Sequence, residues 1–234
     1  MTTLLIDLAL VGTVAFCTWR GYKGGLIRGA FGVVSLIASL FIANIAAQAY
    51  SNEAKNMLVP FVSGYIETTM TEMAETGVEY QEMAHDHVIV DENFGIAYIT
   101  LRELGLPESA AVSVAEKSIE IEPEEDFSYF SDAIADRLTN TLSYVAVFGI
   151  AFLLIAIIFA VIGNLVGFVF ALPGLKLVDI IAGSALGLVK GVIIVYTVAV
   201  IVRYFGLLML STIEGTVILK YLINNNPIAN LLGV

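Results

Sequence analysis

The sequence predicts an all-α membrane protein: four transmembrane helices with a mostly helical acidic extracytoplasmic insert between helices 2 and 3. Three observations predict it. Hydrophobic residues make up 58% of the chain and charged residues only 14%, with a mean hydropathy of +0.88, well above the apolar share and below the charge share of a soluble domain. Charge is unevenly divided: residues 50–140 hold 19 acids and four bases, a net −15, while the rest holds seven bases and three acids, a net +4. No charged residue lies between Arg137 and Lys176, a run longer than a bilayer crossing requires. This composition excludes disorder over most of the length, a nucleic-acid-binding domain and an ordinary cytosolic enzyme. An acidic insert is repelled by nucleic acid and by anionic lipid alike.

Helix 1 is expected over 4–19, interrupted early by Asp7. At ~1.5 Å per residue it falls short of the hydrocarbon thickness and needs local thinning or neighbouring helices to cross. It lacks the basic start and the cleavage site of a signal peptide and reads as a retained helix. Gly21-Tyr22-Lys23-Gly24-Gly25 forms a tight turn, and helix 2 follows over 26–49. Within the insert, 64–83 reads as helical, Val88-Ile89-Val90 as a strand or turn, and 109–119 as a helix started by Pro107 and Glu108. The acidic break EIEPEED follows at 120–126. Phe127, Phe130, Ile134 and Leu138 then make an apolar stripe at helical spacing that runs into helix 3 and supplies the insert with a small core. Helix 3 ends at Leu172-Pro173-Gly174. Helix 4 covers about 179–202, closed by Arg203, and Asn224-Asn225-Asn226-Pro227 is a turn before a short tail that lies at the interface. The domain division is 1–49 for helices 1 and 2, 50–140 for the insert, 141–210 for helices 3 and 4, and 211–234 for the tail.

Orientation follows from Arg20, Lys23 and Arg28, three bases in one short loop. The positive-inside rule holds that loop in the cytoplasm. Both termini and the insert then lie outside, and the loop before helix 4, with Lys176, lies inside. Cys17 is the one cysteine, so no intrachain disulfide forms.

Two stretches carry a family resemblance. One is IDLALVGTVAFCTWRGYKGGLIRGAFGVVSLIASLFIA, with Asp7 early in helix 1 and the turn Arg20-Gly21-Tyr22-x-x-Gly25-x-x-Arg28. The other is LVDIIAGSALGLVKGVIIVYTVAVIV, with Asp179, Gly183, Gly187, Lys190 and Gly191. In order and spacing they resemble the colicin V production protein (CvpA) family of bacterial membrane proteins. The resemblance implies a multi-pass protein of the bacterial cytoplasmic membrane linked to production or export of a peptide toxin. It implies no catalytic residues and no cofactor. The long acidic insert departs from the shorter members, which join helices 2 and 3 more directly.

The candidate residues each carry two readings. Lys190, near the middle of helix 4, is either a pore or relay charge or a lysine snorkelling from an interfacial helix. Asp7 is an intramembrane acid or an outer-interface residue. Glycines recur at four-residue spacing as Gly25 and Gly29, Gly163 and Gly167, and Gly183, Gly187 and Gly191. Such ridges let helices pack closely in lipid, within one bundle or between two copies. Helix 3, joined to helix 4 by a short loop, is the expected partner of the last ridge, with Asn164 beside it and Val195 facing lipid. His85-Asp86-His87 with Asp91 and Glu92 meets no metal-site spacing, and EIEPEED lacks the ligand order of a calcium loop. No nucleophile, phosphate or dinucleotide motif is present. The expected partners are the lipid bilayer, a secreted peptide or envelope protein against the insert, and a second copy of the chain. The leading expectation is a non-enzymatic accessory, against a small oligomeric transporter or channel.

Overall fold

The computed structural model describes residues 2–76, 92–119, 127–166, 176–205 and 210–232. Among them every regular element is a helix: α1 (Thr2–Thr76), α2 (Glu92–Glu103), α3 (Glu108–Ile119), α4 (Phe127–Val166), α5 (Lys176–Phe205), α6 (Leu210–Glu214), α7 (Ile218–Asn224) and α8 (Pro227–Leu232). Three of them, α1, α4 and α5, are long and apolar enough to cross a membrane. The readings placed on Val88–Val90, His85–His87, Asp91, EIEPEED, Gly167 and Leu172–Gly174 lie outside the described residues. So does part of the helix expected over 64–83.

α1 is two helices joined at Gly25, whose φ of 73° and ψ of −179° break the helical path. The contacts of the two arms run in opposite senses along α5. In the first arm, Val14, Cys17 and Gly21 approach Gly191, Gly187 and Gly183 in that order. In the second arm, Gly29 approaches Gly183 and Leu186, and Gly32 approaches Lys190. The turn expected at Gly21–Gly25 is therefore a reversal at Gly25, with helix on both sides of it.

The second arm continues without interruption from residue 26 to 76, through Pro60. α4 likewise runs through 140/141. The two lie antiparallel: Phe31 sits by Gly163, the Tyr144 hydroxyl donates to Asn44 Oδ1 at 2.6 Å, and Lys55 pairs with Asp136 at 2.5 Å. Membrane part and insert share one core, from Leu40, Val145 and Phe148 through Ala47, Leu138 and Ile134 to Ile66, Leu101 and Val114. Of the predicted stripe, Ile134 and Leu138 are buried in it, while the side chains of Phe127 and Phe130 lie outside the described set.

α2 has no counterpart among the predicted elements. Its buried residues Ala97, Thr100 and Leu101 pack on α3 and the shared core. It ends at Gly105, φ 85°, with Leu106 N–H on the Leu101 carbonyl and Gly105 N–H on the Arg102 carbonyl. This pair of hydrogen bonds closes a helix around a left-handed glycine. α3 starts at Glu108 after Pro107, as the sequence predicts.

Two expectations are corrected. The ridge of α5 packs on the first arm of α1, not on α4. α4 and α5 touch sparsely, as where Gly149 meets Ile201. Side chains on α4, including Ile150, Leu153, Ile157 and Val161, stand exposed on the surface that suits lipid. Chain proximity loses here because backbone-to-backbone contact needs small residues on both helices. The first arm offers Cys17 and Gly21, whereas Gly163 of α4 is already covered by the Phe31 ring. Val195 does not face lipid. It is 5% exposed and packs with Ala199, Ile213 and Leu219. The C-terminal segment folds back over α5 and the first arm, so Ile228 and Ala229 are buried. Asn226 accepts from Ile228 N–H and Ala229 N–H and donates to the Tyr196 carbonyl at 3.0 Å. It thus caps α8 with Pro227 in the first helical position.

Candidate functional site

Among the described residues, backbone meets backbone along the seam between the first arm and α5. Gly183, Gly187 and Gly191 are four residues apart, so they fall on one stripe of the helix. A Cβ on Gly187 would meet the Cys17 carbonyl and, at 3.1 Å, the Gly21 Cα. One on Gly191 would meet the Val14 Cα at 2.9 Å, and one on Gly21 would meet the Gly183 carbonyl and, at 2.9 Å, the Gly187 Cα. These neighbours are backbone and have no rotamer to change. The seam has room for hydrogen only.

A carboxylate stands beyond each end of the seam. Asp179, in the first turn of α5, accepts a hydrogen bond from Leu26 N–H at 2.7 Å. Leu26 is the first residue after the Gly25 break, so Asp179 caps the second arm from another helix. Gly25 has two reasons to be glycine: its φ is positive, and a Cβ would strike the Asp179 carboxylate. At the other end Asp7 accepts from Val217, Ile218 and Leu219 N–H at 2.9, 3.2 and 3.2 Å. The residue before α7, Val217, has no capping side chain. Asp7 supplies that cap from the first arm. Each carboxylate meets unpaired helix N–H groups and the positive end of a helix dipole.

Lys190 is at the middle of α5 and half-buried. Its Nζ lies 3.4 Å from where a Cβ on Gly32 would be, so the lysine stem crosses the second arm at a glycine. Gly29 faces Gly183 and Leu186. Asn164 is exposed near the end of α4, and Gly163 abuts Phe31. Arg20, Lys23 and Arg28 are exposed around the Gly25 turn, with Lys23 Nζ 4.0 Å above the Trp19 ring. Among the described residues no three His, Cys, Asp or Glu side chains gather as a metal-binding set. An apolar cavity of about 360 Å³ lies between the first arm, α5 and α7, lined by Leu10, Val14, Val195 and Leu222 among others.

Sequence reasoning missed the polar ties. Asn44 Oδ1 accepts from both Tyr144 and Gln48. Arg203, 6% exposed, donates to the Ser109 carbonyl and holds the end of α5 to the start of α3. Arg102 pairs with Glu214 at 3.0 Å and holds α2 to α6. Only a polar residue inside an apolar run, as at Asn44, signals such a tie in the sequence.

Residues 127–227, from the start of α4 to the start of α8, match the family model described as Colicin V production protein. Comparison with curated proteins and with solved structures gives no match. The resemblance drawn from the sequence is borne out over that stretch, which holds two of the three helices long and apolar enough to cross a membrane.

Proposed function

We propose that this protein is a non-enzymatic accessory of the bacterial cytoplasmic membrane. It crosses the membrane four times and mounts an acidic helical domain outside the cytoplasm, in service of toxin production or export or of a related envelope process. The observation that carries this reading is the shared core. The second arm and α4 leave the apolar region as unbroken helices and become the walls of the insert. A domain built in this way is fixed in height and orientation above the bilayer, as a scaffold for a partner requires. The reversal at Gly25 supports four crossings, since it turns one long helix into two arms packed side by side along α5. The basic turn and the start of α5 meet at one end of the bundle through Asp179, which fits a common cytoplasmic face.

A small oligomeric transporter is the second reading, and Lys190 at mid-helix favours it. The glycine seam favours the accessory, because backbone contact along it leaves no polar path between the first arm and α5. Two experiments separate them. Deleting the chain in its native host should lower release of the peptide toxin, with rescue by the wild-type chain and by Lys190→Leu. Proteoliposomes should show no solute flux beyond that of empty vesicles. Flux that Lys190→Leu abolishes would favour transport instead.

A further inference from the structure

Beyond residue 49 the second arm leaves the apolar run and becomes one wall of the insert. Its inner face carries Ile66 and Met70, 0% and 2% exposed. Its outer face carries Met57, Phe61 and Tyr65, 74%, 77% and 63% exposed. Side chains four apart on a helix are neighbours, so these three form one ridge. Gly64 beside it has open space where a Cβ would stand. A glycine weakens an exposed helix, and no packing within the described residues explains this one. It leaves a flat strip along the ridge on which another backbone can lie close.

Charge decides the occupant. Glu53 and Glu67 are exposed on the same stretch, while its one base, Lys55, is paired with Asp136. Met57 stands eight residues past Ala49, ~12 Å beyond the apolar run, where the carboxylates and the insert's net −15 oppose an anionic bilayer. A second copy in the same membrane would bring a second insert of net −15 alongside the first. Like charges so placed oppose association. A cationic amphipathic helix meets both demands, with its apolar side on the ridge and its lysines or arginines on the two glutamates.

We propose that the Met57–Phe61–Tyr65 ridge, with Glu53 and Glu67 beside it, is a docking site for a cationic amphipathic helix of a partner polypeptide. The proposal rests on the reading of the insert as a scaffold and names the chemistry of what it holds.

The test uses the full chain in nanodiscs of phosphatidylcholine, with binding to empty nanodiscs subtracted. The probe is a labelled Leu/Lys peptide of helical amphipathic period, set against a permuted isomer of equal composition and charge. The amphipathic peptide should bind at least about tenfold tighter than its isomer, and Met57→Ser/Phe61→Ser/Tyr65→Ser should remove about that factor. Glu53→Gln/Glu67→Gln should weaken binding and flatten its dependence on salt. This second variant leaves the ridge intact and stands in if the serine variant loses helicity. Equal binding of the two isomers, or unchanged binding by both variants, overturns the site. So does a disulfide formed by Phe61→Cys, in a Cys17→Ser background, with a second copy or with a cysteine placed in residues 77–91 of the same chain. Toxin release in the host is a separate readout. Binding in nanodiscs without a release phenotype sinks the accessory reading alone, and release without binding sinks the ridge alone.

Discussion

Where the first arm meets α5 the contact is backbone on backbone, with Gly21, Gly183, Gly187 and Gly191 leaving no volume for a side chain. Where the second arm meets α4 the contact is made by side chains: the Phe31 ring on Gly163, Tyr144 on Asn44, Lys55 on Asp136, and the apolar core between Leu40 and Phe148. The first gains dispersion through close approach, which lipid tails cannot match, and has no slack. The second spreads its stabilisation over many groups with rotamers to adjust. The two interfaces should therefore fail differently when the same kind of change is made in each.

The largest effect is expected at the seam. Gly187→Ala drives a methyl carbon into the Cys17 carbonyl and against the Gly21 Cα, neither of which can rotate away. It should destabilise the fold by about 3 kcal/mol or more, read as loss of the monodisperse species in detergent. At Gly163→Ala the obstacle is the Phe31 ring at 2.9 Å, the movable end of a side chain, so the loss should be about 1 kcal/mol. Equal losses at the two positions would erase the distinction between the interfaces.

Next comes the reversal. Gly25→Ala places a Cβ on a φ of 73° and against Asp179 and should cost about 1–3 kcal/mol. Asp179→Ala leaves the Leu26 N–H without its partner and should cost about 1 kcal/mol, with Asp179→Asn in between. Unfolding in a titration of denaturing detergent measures all three. If Asp179→Ala matches the wild type, the cap from α5 contributes nothing.

Smaller effects belong to the side-chain interface. Tyr144→Phe removes one hydrogen bond to Asn44 and should cost about 1 kcal/mol. Lys55→Met, at a pair whose aspartate is half exposed, should change stability by less than about 1 kcal/mol. Gly12 sharpens the contrast from within the first arm. A Cβ there meets nothing within 4 Å, so Gly12→Ala should be neutral or stabilising by up to about 1 kcal/mol. A loss there to match Gly21→Ala would mean that the whole arm, and not the seam, demands glycine.

Reading along the chain, the apolar runs, the basic turn, the glycine spacing and the Asn226-Pro227 turn identified the long apolar helices, the reversal between the first two and the start of the last short one, but neither the run of the second arm to residue 76 nor α2. Each rests on neighbours within about one helical turn or on mean hydropathy, both properties of the sequence itself. The partner of each face was not legible in that way. A stripe at Gly183, Gly187 and Gly191 states that something comes close. Whether it is α4 or the first arm depends on which other helix can also bring backbone to the surface, a relation between residues more than 150 positions apart. The same holds for Asp7 and Asp179. As sequence they are acids near apolar runs. They become caps because folding brings the unpaired N–H groups of Leu26 and of residues 217–219 to them, and those groups exist only once Gly25 has reversed the chain and the tail has folded back. Local spacing determined the helices and their small faces. Only the tertiary structure decided which faces meet, because close packing and helix capping are satisfied in space and without regard to distance along the chain.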